Sequence, residues 1–359
     1  MRRNILLNPG PATTTNSVKK SQVVPDICPR EKEFIQLMSS IRMDLNIIAG
    51  DNENYTCILF AGSGTAVMDA TINSVIPDNK KILIINNGAY GERLSKIADA
   101  YNIKKIEAKF DWTQIPDLKQ IEKELQNDKD ISHIAMIHHE TTTGILNPLK
   151  EVGELAKRYN KGYIIDTISS FAGIPINLKE SNIDFMMSTS NKCIQGMAGI
   201  AFVICKKSEI EKLKDYPKRS FYLNLYQQYK YFEDNGEMQF TPPVQVAYAL
   251  KQAIKEFLEE GAENRFRRYK ENYEVLIKGL KKLKFKFLIE EKHQSGILVT
   301  LIEPENFNFT EVHDKLYEKG FTIYPGKLYN KNTFRLAIMG AINSIDIKKF
   351  LRELKEIMK

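Results

Sequence analysis

Across the first two hundred residues, apolar runs of strand length alternate with stretches in which apolar residues return every three or four positions. "YTCILFAG" from residue 55, "KILIINNGAYG" from 81, "HIAMIHHE" from 133, "GYIIDTISS" from 162 and "IDFMMSTSNK" from 183 each close on a polar or glycine-bearing segment, whereas "EVGELAKRYN" from 151 carries the helical period. Near-continuous apolar runs predict strands covered on both faces, and strands taking turns with helices predict βαβ units around a mostly parallel sheet. One long helical stretch is expected from near Val244 to past Tyr273. Beyond it the pattern changes: "GILVTLIE", "FTIYPGK" and "TFRLAIMG" predict strands, and "TEVHDKLYEKG" and "SIDIKKFLRELKEIMK" predict helices, as in a small α+β unit. The expected organisation is an α/β protein with an N-terminal arm over 1–20, a large domain over 21–250 and a smaller α+β domain over 251–359.

Composition narrows the class. With 359 residues, 43% of them hydrophobic and 27% charged, the chain can bury a large core. The net charge of +7 comes mostly from lysines spread along helical segments, which fits a solvated surface or small anionic ligands better than a nucleic-acid face. No secretory leader opens the sequence and no apolar run approaches the ~20 residues of a membrane span, so a cytoplasmic protein is expected, with no membrane partner. Cys28, Cys57, Cys193 and Cys205 form no C-x-x-C pair and are expected to be reduced thiols.

In an open α/β sheet, ligands gather beyond the carboxyl ends of the strands, and five unusual groups stand at expected strand ends or in a cleft strand. "AGSGT" at 61–65 leaves a strand and opens a helix; its glycines, the first-turn N–H groups and the hydroxyls of Ser63 and Thr65 make a cradle for a phosphate. The motif is neither a dinucleotide fingerprint nor a P-loop. Asp166 follows buried strand residues and would fix an anion at the site edge. Tyr90 lies between two glycines, where its ring can lie flat over a planar ligand. Lys192 stands next to an apolar strand, where desolvation lowers the amine pKa toward the value a Schiff base needs. Arg335 is the one charge inside "TFRLAIMG", suited to hold a carboxylate or phosphonate bidentately. Phosphate cradle, flat aromatic, buried carboxylate and imine-forming lysine together describe pyridoxal 5'-phosphate.

Two temptations fail on the residues alone. His138, His139 and Glu140 are consecutive, so in a strand they point to opposite faces, and no metal site is expected. Cys193 beside Lys192 has no histidine partner and reads as a small buried residue.

With those residues in view, the sequence resembles the class V, fold type I aminotransferases along almost its whole length. Within them it is most similar to the transaminases acting on 2-aminoethylphosphonate and pyruvate. The matching stretches are "LLNPGPATT", "AGSGTAVMDATI", "NNGAYGERL", "SHIAMIHHETTTGILNPL", "IIDTISSFAGIPI", "SNKCIQGMAGIAFVI", "RSFYLNLYQQYKYFEDNGEMQFTPPVQ", "IYPGK" and "FRLAIMG". The resemblance implies a fold type I architecture, with a large domain built on a mostly parallel seven-stranded sheet and a smaller C-terminal domain. It implies that Ser63, Gly64, Thr65 and Ser190 or Asn191 surround the cofactor phosphate and the lysine, that Tyr90 stacks on the ring with Ile168 nearby, and that Thr141 reaches the phenolic oxygen. It further implies that Asp166 binds the ring nitrogen, Lys192 carries the cofactor, and Thr241 crosses to the neighbouring subunit of a homodimer with shared sites. Arg335, with Thr13 and Thr14, is implied in substrate binding. The activity implied is amino transfer from 2-aminoethylphosphonate to pyruvate, giving phosphonoacetaldehyde and L-alanine; an alanine:glyoxylate or serine:pyruvate aminotransferase is the alternative, and a lyase or desulfurase a more distant one. The chain departs from the family pattern at "DICPREKEF", 26–34, and at "FRLAIMGAIN".

Overall fold

In a computed structural model, which describes residues 4–326, 328 and 331–358, two apolar cores are stacked along the chain. Residues 1–3 of the expected arm and Lys327 of "IYPGK" lie outside the described residues.

The larger core is built on a seven-stranded sheet. Its strands are β1 (Tyr55–Gly62), β2 (Lys81–Asn86), β3 (Lys105–Lys109), β4 (Ile131–Ile137), β5 (Gly162–Asp166), β6 (Phe185–Thr189) and β7 (Gly199–Lys206). They lie in the order β1-β7-β6-β5-β4-β2-β3. The pairs β2/β3, β2/β4, β4/β5 and β5/β6 are parallel, and β7 alone runs against its neighbours β6 and β1. The inner strands are apolar on both faces: Ile134, Ala135, Met136, Ile164 and Ile165 are all fully buried. Each such large side chain contributes about 1.5–3 kcal/mol relative to exposure, and helices on both faces supply the cover.

The pattern of apolar runs located five of these strands and missed two. β3, "KIEAK", is an edge strand with a single buried residue, so it carries no apolar run. β7 is almost wholly buried, but its run follows the "MAG" turn so closely that it reads as a continuation of the preceding loop.

The long helix expected from Val244 is two helices, Val244–Glu260 and Ala262–Lys282. Gly261 breaks it with φ +80, a left-handed conformation that glycine adopts without steric cost. Phe257, before the break, belongs to the larger core, whereas Tyr269, Tyr273, Leu276 and Leu280 belong to the smaller one. That smaller core lies against a four-stranded antiparallel sheet ordered Lys286–Phe287, Leu298–Ile302, Thr333–Ala337, Tyr324–Pro325. The helices Phe309–Glu318 and Ser344–Ile357 fall on the two segments with helical periodicity; Asn343 caps the second in a reciprocal capping box with Asp346. The chain's first strand, Ile5–Leu6, pairs in parallel with Phe321–Thr322, so the arm is stitched to the C-terminal unit. No helix among the described residues is long and apolar enough to cross a membrane.

Candidate active site

All the parallel strands point their carboxyl ends the same way, and the sequence-predicted residues of the large domain follow directly on those ends. β1 runs into Ser63, Gly64 and Thr65 at the start of the helix Gly64–Val75. Ser63 is the N-cap residue but makes no side-chain capping bond, which leaves its hydroxyl and the first-turn N–H groups available to an anion. β2 leads to Tyr90 in the first turn of Ala89–Ala100. β4 leads through His138 and His139 to Thr141, β5 ends on Asp166, and β6 leads to Ser190, Asn191 and Lys192. A Cβ on Gly64 would stand 2.8 Å from Ile168 Cδ1, so the turn after β1 and the turn after β5 are in direct contact.

Asp166 is buried, and its Oδ1 accepts from Ile168 N at 2.7 Å. Burial pushes its carboxyl up to about 7, with the nearby Glu140 charge adding to the rise and Arg93 and Lys192 opposing it. Lys192 donates through Nζ to the carbonyl of Pro9, and burial lowers its pKa against the pull of Tyr90 and Asp166. Gly10 lies on the lysine itself: a Cβ there would overlap Nζ, and its φ of +123 also excludes most side chains. The arm thus closes over the amine.

Arg335 is 0% exposed. Its Nε and Nη2 donate to Pro325 O at 3.0 and 2.8 Å, and its Nη1 donates to Thr141 O at 3.1 Å. It also hydrogen-bonds the Tyr90 side chain and stacks over the Tyr324 ring at 4.9 Å. A buried guanidinium held by carbonyls and rings, with no carboxylate in an ion pair among the described residues, places a positive charge beside Tyr90 and Lys192 that the more distant Glu140 only partly offsets.

The other expected residues have these surroundings. Thr13 Oγ1 accepts from Leu6 N at 2.9 Å while its backbone bridges to Gly340, and the Thr14 carbonyl accepts from Lys19 Nζ at 3.0 Å. Ser190 Oγ donates to Met197 O, and Asn191 O receives Ala12 N at 2.9 Å, a second tie between arm and lysine loop. Thr241 is exposed, in the loop before Val244.

Two contributors, Arg93 and Arg265, escaped the sequence reading, and Glu140 entered it only as a rejected metal ligand. Arg93 donates to Thr65 Oγ1 at 3.0 Å and lies over Tyr90 at 4.7 Å; "NNGAYGERL" contains it, but on a helix it reads as a surface arginine. Arg265, from just beyond the Gly261 break, is buried and donates to Cys193 O at 2.9 Å, bracing the lysine loop; its polar surroundings in "AENRFRRYK" hide its burial. Glu140 accepts from Tyr90 N. The histidines beside it are buried and neutral, His138 brought down to about 4 and His139 to about 3 by desolvation, and their Nδ1 atoms meet Ser170 and Ser169 hydroxyls. Burial pushes the Cys193 thiol up to about 12, which removes it as a nucleophile.

Comparison with known proteins agrees with this geometry. The pattern of the family described as aminotransferase class-V matches residues 16–331. The chain belongs to this family. It is 43% identical over 350 residues to a bifunctional phosphonoacetaldehyde hydrolase/aminoethylphosphonate transaminase of Clostridioides difficile, covering 96% of this chain but 55% of that protein. It is 40% identical to a 2-aminoethylphosphonate–pyruvate transaminase of Bacillus cereus, covering 97% of this chain and 96% of that one. Among solved structures, an alanine–glyoxylate aminotransferase from Nostoc superposes with a TM-score of 0.93 at 25% identity, over 100% of this chain and 96% of the other. The fold is therefore that of the fold type I class-V aminotransferases, and the chain is an aminotransferase.

Proposed function

We propose that the chain is a pyridoxal 5'-phosphate enzyme that transfers the amino group of 2-aminoethylphosphonate to pyruvate, yielding phosphonoacetaldehyde and L-alanine. The observation that carries this reading is Arg335: a fully buried cation that forms no ion pair with a carboxylate among the described residues, next to Tyr90 and Lys192, suits the anionic end of both substrates. The named activity of full-length relatives at about 40% identity supports it.

The residues present fit the cofactor. Asp166 is a buried acid in no ion pair among the described residues, suited to a protonated ring nitrogen; Lys192 is an amine whose pKa burial lowers, suited to an aldehyde. Ser63, Gly64 and Thr65 would hold the phosphate, with Ser190 or Asn191 beside it, Tyr90 and Ile168 the ring and Thr141 its phenolic oxygen. When bound, the group supplies an electron sink that lets a carbon bearing an amine give up a proton.

The chain's own residues divide the remaining tasks. Lys192, neutral more readily than an exposed lysine, would accept the proton of the amine-bearing substrate carbon at Nζ and hold it for return on the far side of the amine nitrogen. Asp166, once beside a cation, stays ionised and keeps the ring nitrogen protonated. Arg335 orients the substrate by its anion, leaving the amine toward Lys192, and the Pro9–Gly10 backbone limits water above the lysine. Thr13 and Thr14, in the arm next to Gly340, are supplementary hydroxyl donors for the anion.

A homodimer with shared sites is part of the same reading. Thr241 is exposed and lies beside an aromatic patch in which Phe221, 78% exposed, and Tyr222 both pack on Phe240. An exposed aromatic patch of this kind supports a subunit interface at Thr241.

An amino-donor panel with pyruvate as acceptor, scored by alanine formation, tests the reading. 2-Aminoethylphosphonate should exceed serine as donor, and in a parallel assay with glyoxylate as acceptor, scored by glycine formation, turnover should be lower than with pyruvate; the reverse order favours the alanine:glyoxylate or serine:pyruvate alternative.

A further inference from the structure

The loop His139–Leu146 holds a carboxylate with no role in the chemistry above. Glu140 is 0% exposed and has no cationic side chain in an ion pair with it among the described residues. Backbone and hydroxyl donors surround it instead. Its Oε2 accepts from Tyr90 N at 3.1 Å and Gly91 N at 3.3 Å, and its Oε1 accepts from Thr142 N at 3.1 Å and Thr142 Oγ1 at 2.5 Å. The first pair of donors belongs to the opening turn of Ala89–Ala100, where the helix dipole favours a negative charge. Gly88 leaves the space: a Cβ there would overlap Glu140 Cγ and Cδ.

The neighbours of Glu140 on the same loop fasten the other side. Thr141 O receives Arg335 Nη1 at 3.1 Å, Thr142 O receives Thr300 Oγ1 at 3.4 Å, and Gly144 O receives Ser295 N at 2.9 Å. One short loop is therefore tied to the turn that carries Tyr90 by the Glu140 carboxylate, with Thr142 Oγ1 accepting from Ala89 N at 3.2 Å beside it, and by its carbonyls to Arg335 and the small domain.

Given the reading above, on which this rests, we propose that Glu140 is a positioning residue: its carboxylate fixes Tyr90 and Arg335 relative to each other and so sets the spacing between the cofactor face and the substrate anion. Each of its oxygens serves one anchor. In Glu140→Gln one oxygen becomes an NH2 group, which must face N–H donors on one side or the other, so one anchor is lost while shape and volume are kept. Gly88→Ala pushes on the same carboxylate from outside without altering its charge, and its extended backbone, φ 174, accepts alanine.

Amide hydrogen exchange on the apoproteins reads the tether without any cofactor. Both variants should exchange the Tyr90 and Gly91 amides, or that of Thr142, faster than the native protein, with exchange in β4 and β5 unchanged. Titration of the native and variant apoproteins with pyridoxal phosphate should give a Kd raised about tenfold, as expected for losing a hydrogen bond to a charged group, with a weaker visible circular-dichroism band. In turnover, KM for 2-aminoethylphosphonate should rise more than kcat falls. In a double-mutant cycle with Tyr90→Ala, the losses in cofactor affinity should not add. Native exchange rates together with a native Kd in both variants, or fully additive losses in the cycle, overturn the proposal. If the native apoprotein takes up no pyridoxal phosphate, the functional reading fails, while the exchange experiment still decides whether Glu140 tethers the turn.

Discussion

The cofactor end and the substrate end of the candidate site are built in opposite ways. At the cofactor end, Ser63, Tyr90, Asp166 and Lys192 each follow within a few residues of a strand in one sheet, so their relative positions are those of the sheet itself. At the substrate end, Arg335 comes from a second sheet and is held by Thr141 O, Pro325 O and the Tyr90 side chain, groups brought together from three distant parts of the chain. The first arrangement is stiff because its spacing is set by strand pairing. The second can change only if two packed units shift against each other, which suits a site that must take a phosphonate in one half-reaction and a smaller carboxylate in the next.

The largest effect expected at the cofactor end is that of Lys192→Ala. Loss of both the covalent attachment point and the proton carrier should lower turnover by ~10³-fold or more, measured as alanine formed per subunit. Borohydride reduction of the native holoenzyme should label the peptide containing Lys192, and a label on any other peptide breaks the assignment of that end.

Arg335→Ala tests whether the two ends are separable. Truncating a desolvated guanidinium should remove about 2–5 kcal/mol of substrate binding, read as KM for both substrates, and Arg335→Lys should restore part of it, since an ammonium lacks the planar fork. Cofactor affinity should stay at the native level in both variants. A parallel loss of cofactor affinity would merge the ends into one unit. Weakening of pyruvate alone would point to a donor without a phosphonate.

Asp166 gives a smaller effect that can be read without substrate. Its folded pKa of about 7 lies above the unfolded carboxylate value of 3.8, so the apoprotein loses stability as pH rises from 3.8 to about 7, the penalty is fully present above about 7, and it vanishes below the unfolded value. Asp166→Asn should therefore unfold at a higher temperature than the native apoprotein at pH 8, by a margin that closes as pH falls toward 4. The holoenzyme should show the margin reduced or reversed, because the ring nitrogen then neutralises the aspartate. A pH-independent margin in the apoprotein would mean that Asp166 is already paired.

The smallest expected effect is that of Thr241→Ala: about a tenfold rise in cofactor Kd, the usual loss for one charge-assisted hydrogen bond, with the dimer intact by analytical ultracentrifugation. Full activity in a monomer at high dilution would place the whole site within one chain.

The same contrast decides what could be read from sequence. Five sheet strands and the residues at their ends are legible because burial on both faces leaves unbroken apolar runs and because the chemistry follows each run within a few positions. The class-V resemblance supplied the seven-strand count that those runs alone did not, since β3 is too polar and β7 too close to its turn. Arg335 is visible as a charge in an apolar strand, but its partners are not: Thr141 is 194 positions away. Pro9 on Lys192, 183 positions apart, and Arg265 on the Cys193 carbonyl, 72 apart, are invisible for the same reason. Local periodicity records which face a residue buries, not what it meets there.

Closure of the arm over Lys192 also bears on how the protein is made. The ribosome delivers the chain from its amino end, so Ile5 and Leu6 emerge long before Phe321 and Thr322, the strand they pair with. Until then only the Lys192 amine and the bond from Ala12 N to Asn191 O hold Pro9 and Gly10 against the lysine, without the strand pairing that anchors the arm. A nascent chain can complete its large sheet through β7 while its reactive amine stands open, and only the last fraction of synthesis covers it. Contacts of such sequence separation form late and slowly, which makes completion of the carboxyl-terminal unit the step that turns a folded sheet into a sealed reaction chamber.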